Sequence, residues 1–340
     1  MMENAGDARL PNFDDVRRAA SRLEGVAVRT PLLRSDVLDA MTGGRVLLKA
    51  ECLQRTGSFK IRGAYNRLRQ LVETGQDRGG VVAFSSGNHA QGVAAAASLL
   101  GMKAAIVMPS DAPALKIENT RRLGGEVILY DRWREDRETI ATELAARRNA
   151  VLVPSFDDAG IIAGQGTVGL EMAEDVQALG LTLDAVYTPA SGGGLAAGVG
   201  LALSGISPST ALYTAEPAGF DDHAKSLVQH RIVANDAAAR SICDALLSPK
   251  PGNLTFALNR DSLAGGVVAT DDEALRAMAF AFHTLKLVIE PGGAVALAAL
   301  LAGKINARNK VVGIVLSGGN VDPGLFVTCL GYAPFSEVST

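Results

Sequence analysis

Three times in this chain a short apolar run ends in a turn rich in serine and glycine. Val81-Val82-Ala83 leads into Phe84-Ser85-Ser86-Gly87-Asn88-His89-Ala90-Gln91-Gly92 and then an apolar helical stretch from Val93 to Leu100. Asp184-Ala185-Val186-Tyr187-Thr188-Pro189 leads into Ser191-Gly192-Gly193-Gly194-Leu195-Ala196-Ala197-Gly198, and Val311 to Leu316 runs into Ser317-Gly318-Gly319-Asn320. Further strands are expected at Val46 to Ala50, Ala104 to Met108, Glu126 to Tyr130, Val151 to Val153 and Ala211 to Ala215. Strands that alternate with helices pair in parallel through right-handed crossovers, so the pattern predicts an α/β fold of parallel twisted sheets flanked by helices. Helices are expected from Asn12-Phe13-Asp14 to Leu23 and near Ser35 to Ala40. Apart from a loop at Pro249-Lys250-Pro251-Gly252-Asn253, no helix or strand is placed in the stretch 219–265.

Such turns also bear on chemistry. Free backbone amides at a helix start attract anions, and a glycine run lets them wrap a phosphate with no side chain in the way. Ser86, Asn88 and His89 add side-chain donors suited to a carboxylate or a phenolic oxygen. The plainer reading of that segment is a capped turn with a satisfied core histidine.

A lysine joins them in Arg55-Thr56-Gly57-Ser58-Phe59-Lys60-Ile61-Arg62-Gly63-Ala64. An exposed lysine is protonated at neutral pH and a poor nucleophile. Buried beside small residues at a helix start, Lys60 can lose its proton and form a Schiff base with an aldehyde cofactor. Gly57 and Ser58 read as a turn and an N-cap, and Phe59 as a shield for the amine. Most lysines are solvated surface charges, so it is the company of three glycine turns that singles this one out.

Composition excludes several classes. At 340 residues the chain has room for two domains sharing a cleft, and its 37 glycines suit close-packed strand–helix units. A net charge of −3 without basic clusters gives no nucleic-acid surface. Cys52, Cys243 and Cys329 are too scattered for a disulfide framework or a zinc site. Met1 to Asp7 lacks the basic and apolar regions of a signal peptide, and no apolar run reaches membrane-spanning length. A soluble cytoplasmic protein is expected.

Ser58-Phe59-Lys60-Ile61-Arg62-Gly63-Ala64, the Gly87-Asn88-His89 turn and Ile161-Ile162-Ala163-Gly164-Gln165-Gly166-Thr167 resemble the fold-type II pyridoxal-phosphate enzymes, the tryptophan-synthase-β-like group. Within it the chain looks most like the serine/threonine dehydratases and serine racemases, from about Asp14 to about Asp322. The resemblance implies a small mobile domain at 76–154 and a discontinuous large one at 1–75 and 155–335, with pyridoxal 5'-phosphate (PLP) between them. It implies that Lys60 holds the cofactor and then takes the substrate's α-proton, with Phe59 beside the ring and Asn88 on its phenolic oxygen. Ser191, Gly192, Gly193, Gly194 and Leu195 would cradle the phosphate; Ser191 departs from the family's all-glycine start. Ser317 would face the pyridine nitrogen, and a neutral hydroxyl there favours prompt β-elimination over transamination.

Ser85, Ser86, Asn88 and His89 resemble the family's carboxylate-binding loop, and Ser86 stands where racemases place a base on the opposite face. Arg137 matches a substrate-binding arginine of the racemase branch; its other reading is an exposed helix-face arginine. Trp133 is a further candidate for the pocket wall. Glu216, the Phe220 carbonyl and Asp222 match a site for Mg²⁺ (or Ca²⁺ or Mn²⁺), against the plainer reading of a capped turn with solvated acids. A homodimer is implied as well.

The expected activity is β-elimination of a β-hydroxy amino acid to a 2-keto acid and ammonia. Candidate substrates are L-threonine, L-serine, threo-3-hydroxyaspartate and 3-phenylserine. An amino acid racemase and a non-catalytic sensor are alternatives on the same fold. From another class, an NAD-dependent oxidoreductase would use Gly192 to Gly198 as a dinucleotide loop, with Glu216 about 20 residues on as the ribose acid. That reading leaves Lys60, the Ser86-to-Gln91 loop and the Ser317 turn without a role. The end soon after Asp322-Pro323 leaves no room for a regulatory domain, so feedback control by isoleucine is not expected.

Overall fold

A computed structural model describes residues 9–112, 114–333 and 335 of the chain. Met1 to Asp7 and the start of the expected large domain, residues 1–8, lie outside the described residues. Two sheets carry the architecture. The larger has the order β1 (Leu32–Arg34), β2 (Arg45–Lys49), β10 (Val311–Val315), β7 (Ala185–Pro189), β8 (Ala211–Pro217), β9 (Leu263–Ala269). All its pairings are parallel except the short antiparallel edge β1–β2. The smaller is parallel throughout, in the order β5 (Glu126–Tyr130), β4 (Ala104–Pro109), β3 (Val81–Phe84), β6 (Val151–Leu152).

Helices cover both faces, which is why β4 and β7 are buried along their whole length and read as continuous apolar runs rather than alternating ones. The abundance of small residues has a visible purpose. The Ala159–Ala178 helix lies so close to the Gly194–Ile206 helix that a Cβ on Gly166 would come within 2.7 Å of the Gly198 carbonyl. The Pro291–Leu301 helix is buried on every side, all 11 residues of it, and packs against β7, β8 and β9. Its enclosure sets its N-cap, Glu290, at the carboxyl ends of the strands. No helix among the described residues is long and apolar enough to cross a membrane.

The expected strands form within two residues of their predicted ends. The unassigned stretch 219–265 holds the helices Asp222–Gln229 and Asn253–Ser262 and leads into β9. One local expectation fails. Gly57 makes its turn with φ 72°, but the helix begins at Lys60 with Phe59 as its N-cap, and the buried Ser58 hydroxyl has no partner. The Ser58 backbone is drawn instead into a bridge with Gly318, so the lysine turn and the turn after β10 are tied to each other.

Candidate active site

The turns after β3, β7 and β10 open at the carboxyl ends of their strands, where ligands sit in open α/β sheets. Together they line one cleft, with Phe59, Lys60, Asn88, Ser155, Phe156, the segment 189–195, Ala245, Leu246, Ser248, Glu290 and Ser317 in its walls. Lys60, Phe59, Asn88, the glycine turn and Ser317 are thus brought together as the sequence leads one to expect.

Lys60 starts its helix with Nζ 5.0 Å from the Phe59 ring centre and donating to the Ser155 carbonyl at 3.0 Å. Burial pushes its pKa down to about 8, against the opposing pull of the Glu290 charge. A substantial share of the amine is therefore neutral at physiological pH, as a nucleophile or proton acceptor requires. Trapping of Lys60 by an aldehyde and borohydride is expected to rise with pH through about 8 and level off above, because the neutral amine is the reactant. A trapping rate that still climbs steeply between about pH 9 and about pH 10 would show an ordinary exposed lysine instead.

The glycine turn is built to admit no side chains. Gly193 has φ 93° and caps the Gly194–Ile206 helix. A Cβ on Gly192 would overlap the Phe156 ring, and one on Gly193 the His223 ring. Behind the turn, Thr255 Oγ1 donates to the Gly192 carbonyl at 2.6 Å and Asn259 Nδ2 to the Gly193 carbonyl at 3.2 Å. The Ser191 hydroxyl accepts from the Ser248 amide at 3.0 Å, so this departure from glycine braces the turn from outside. His223, which abuts the turn, has its pKa pushed down to about 4 by burial and is neutral. An amide cradle at a helix start, a half-buried amine with a lowered pKa and the Ser317 hydroxyl in one cleft fit a phosphorylated pyridine aldehyde in donor set.

Glu290 escaped the sequence reading. It is buried at the helix N-cap, accepts from Asn88 Nδ2 at 2.5 Å, and leaves Oε2 without a partner among the described residues. Burial, with the nearby Asp244 charge, pushes its pKa up to about 7, while Lys116, Asn88 and Lys60 oppose the rise. Asn88 Oδ1 in turn accepts from Asn320 Nδ2 at 2.7 Å. The available signal was Glu290-Pro291-Gly292-Gly293, an acid at a proline-started helix after an apolar run.

Other expected residues lie around the cleft rather than in its lining. Ser85 Oγ accepts from the Gly87 amide at 3.2 Å, and Ser86 sits beside it in the same turn. His89 is buried, with Nε2 3.1 Å from the Val153 carbonyl, and burial pushes its pKa down to about 3. Arg137 is exposed at its helix start, its guanidinium 5.3 Å from the Phe84 ring centre. Trp133 is exposed and contributes nothing to the wall.

Glu216 and Asp222 are brought together. Burial and the Asp222 charge push Glu216 up to about 8, and burial pushes Asp222 up to about 7. Glu216 accepts from the His223 amide at 2.8 Å and the Ala224 amide at 2.9 Å, which leaves it unsuited to a ribose and removes the acid the dinucleotide reading needs. Asp222 Oδ2 has no partner, and Phe220 is buried on the turn between the two acids. Among the described residues no group of three or more His, Cys, Asp or Glu side chains converges as a metal cage.

A family model described as "Pyridoxal-phosphate dependent enzyme" matches residues 23–318. An L-threo-3-hydroxyaspartate ammonia-lyase of Pseudomonas sp is 45% identical over 313 residues, 92% of this chain and 96% of that protein. The structure of maize serine racemase superposes with a TM-score of 0.88 at 38% identity, covering 94% of this chain and 97% of its own. The T.th. threonine deaminase does so with a TM-score of 0.86 at 40% identity, covering 92% and 99%.

Proposed function

This chain belongs to the pyridoxal-phosphate-dependent enzymes, and from that membership we propose that it is an ammonia-lyase converting a β-hydroxy amino acid to a 2-keto acid and ammonia. The observation that carries the proposal is Lys60, half-buried with a lowered pKa between an amide cradle and a neutral Ser317 hydroxyl. When bound there, PLP supplies an aldehyde for the amine and an electron-withdrawing ring.

The chain's own residues do the rest. The turn from Ser191 to Leu195 holds the phosphate through backbone amides, with Phe59 beside the ring and Asn88 offering its amide to the phenolic oxygen. Lys60 Nζ removes the substrate's α-proton. The Ser85–His89 turn binds the α-carboxylate, with Arg137 at its margin, and Ser86 stands on the substrate's opposite face. Ser317 can hydrogen-bond the ring nitrogen without keeping it protonated, so proton removal is productive when the β-hydroxyl leaves promptly. Glu216, the Phe220 carbonyl and Asp222 would take a divalent cation, which relieves two buried carboxylates of their mutual charge. Residues 76–154 form the small mobile domain in this reading, supported by a four-stranded sheet that lies wholly between Val81 and Leu152.

L-threo-3-hydroxyaspartate is the preferred substrate, because the relative of that name matches at 45% identity along nearly the whole chain. The test is keto acid release, identified by mass spectrometry, from both enantiomers of serine and threonine, the 3-hydroxyaspartate isomers and 3-phenylserine. It is run with PLP, first with chelator and then with Mg²⁺. Release from L-threo-3-hydroxyaspartate above the others, raised by Mg²⁺, is expected. Bound PLP with no keto acid from any substrate would sink the lyase proposal, and chiral analysis of the same mixtures would then reveal a racemase.

A further inference from the structure

We propose that His223 and Asn259 form a floor of donors beneath the glycine turn that positions its amides for the cofactor's phosphate. Both side chains are fully buried, and they come from elements far apart in the chain, the Asp222–Gln229 and Asn253–Ser262 helices. They meet at Gly193. A Cβ there would lie 2.6 Å from His223 Nε2 and 2.7 Å from Asn259 Nδ2. Asn259 Nδ2 already donates to the Gly193 carbonyl, while its Oδ1 and both His223 ring nitrogens have no partner among the described residues. The Ser191 and Gly192 carbonyls are the nearest acceptors that face the imidazole, without a hydrogen bond to either ring nitrogen.

The N–H and C=O of a planar peptide point in opposite directions. Amides of this turn that face a phosphate therefore send carbonyls backwards, towards Thr255, Asn259 and His223. Donors that hold those carbonyls polarise the same peptides, and hydrogen bonds in such a chain strengthen one another. Thr255 and Asn259 each hold one carbonyl. The imidazole, whose ring nitrogens are unbonded beneath the turn, is the third donor, and it closes on a carbonyl of the turn when a bound phosphate fixes the amides. Its contribution therefore appears in the affinity for the cofactor and not in the stability of the apoprotein. His223 and Asn259 are positioning residues; they touch the turn and not the substrate. The inference rests on the cofactor reading above and adds two residues to it.

The test compares His223→Leu, Asn259→Leu, the double variant and His223→Gln as apoproteins titrated with PLP. Three quantities are read: the dissociation constant, the ³¹P chemical shift of bound PLP, and the thermal midpoint of the apoprotein. Each leucine variant is expected to bind PLP about tenfold more weakly, the scale of one lost hydrogen bond. The ³¹P signal of each should move; the apoprotein midpoint should stay or rise in His223→Leu and fall in Asn259→Leu, which loses the bond to the Gly193 carbonyl. The double variant should lose less than the product of the single losses, because the two side chains act on neighbouring peptides of one turn. His223→Gln keeps a side-chain N–H and should recover most of the affinity.

Unchanged affinity and ³¹P shift in His223→Leu would overturn the proposal. So would an apoprotein midpoint that falls in step with affinity and is not recovered by glutamine, which is the mark of packing alone. If His223→Leu does not fold, Asn259→Leu and His223→Gln decide the question by the same two readouts. Keto acid release by the unsubstituted enzyme is measured on the same preparation. Normal PLP binding without keto acid would overturn the lyase reading and leave the floor standing.

Discussion

Lys60→Ala is expected to abolish keto acid release from every substrate, by at least about a thousandfold, since a positioned general base alone contributes about 10²–10⁴-fold. The loss follows from geometry as well as from type. Lys60 Nζ stands in the cleft wall with Ser155 and Glu290, and no other lysine lines that cleft. The variant should still bind PLP, because in the proposed reading the turn from Ser191 to Leu195, and not the amine, holds the phosphate. Its apoprotein should be no less stable than the parent, because burial disfavours the charged ammonium and alanine removes that cost. Added methylamine, which replaces the missing group in kind, should restore a measurable fraction of activity. Activity within tenfold of the parent would mean that another group takes the α-proton.

Arg62→Met should have the largest effect on folding. Arg62 is fully buried two residues beyond Lys60 on the same helix. Its guanidinium donates to both Glu51 oxygens at 2.8 Å and to the Glu171 oxygens at 2.7 and 2.9 Å, with further bonds to Thr167 and to the Val28 carbonyl. These counter-charges hold its pKa above the usual arginine value although burial opposes them. Lys49 adds a second cation to Glu171 at 2.7 Å. Removing Arg62 leaves Glu51, itself fully buried, without a counter-ion, a loss of about 3–5 kcal/mol. Chemical denaturation should show that loss as a lower midpoint. Adding Glu51→Leu should recover part of it, because replacing both members of a buried pair with apolar groups avoids the stranded charge. If the single variant unfolds at the parent's midpoint, the cluster contributes nothing net and the helix bearing Lys60 is anchored by its apolar face alone.

What could be read in advance was whatever a few adjacent residues specify. Ser191 to Gly198 announces a turn because only glycine adopts the φ of 93° at Gly193 cheaply and only glycine leaves room for Phe156 and His223. The Lys60 motif was legible for its family likeness, but the Ser58 cap was not, because a bridge to Gly318 decided what that backbone does. Glu290 was passed over because nothing near it in the chain shows that it faces Asn88, 202 residues away. The stretch 219–265 stayed unassigned for the same reason. Its role is to supply Thr255 and Asn259 to the glycine turn, and such a role leaves only scattered polar residues in a sequence.

The sequence by itself therefore determined the α/β alternation, the Lys60 turn, the glycine turn and the Ser317 turn. Each rests on local periodicity or on a backbone conformation that few residues can adopt. Tertiary structure alone decided that Lys60 is desolvated enough to be partly neutral and that Asn88 is held between Glu290 and Asn320. It alone decided that Arg62 neutralises two glutamates and that His223 comes to rest beneath Gly193. The physical reason is common to all of these. A pKa, a buried ion pair and a hydrogen-bond partner depend on which atoms lie within a few ångströms, and those atoms come from parts of the chain that meet only when it has folded.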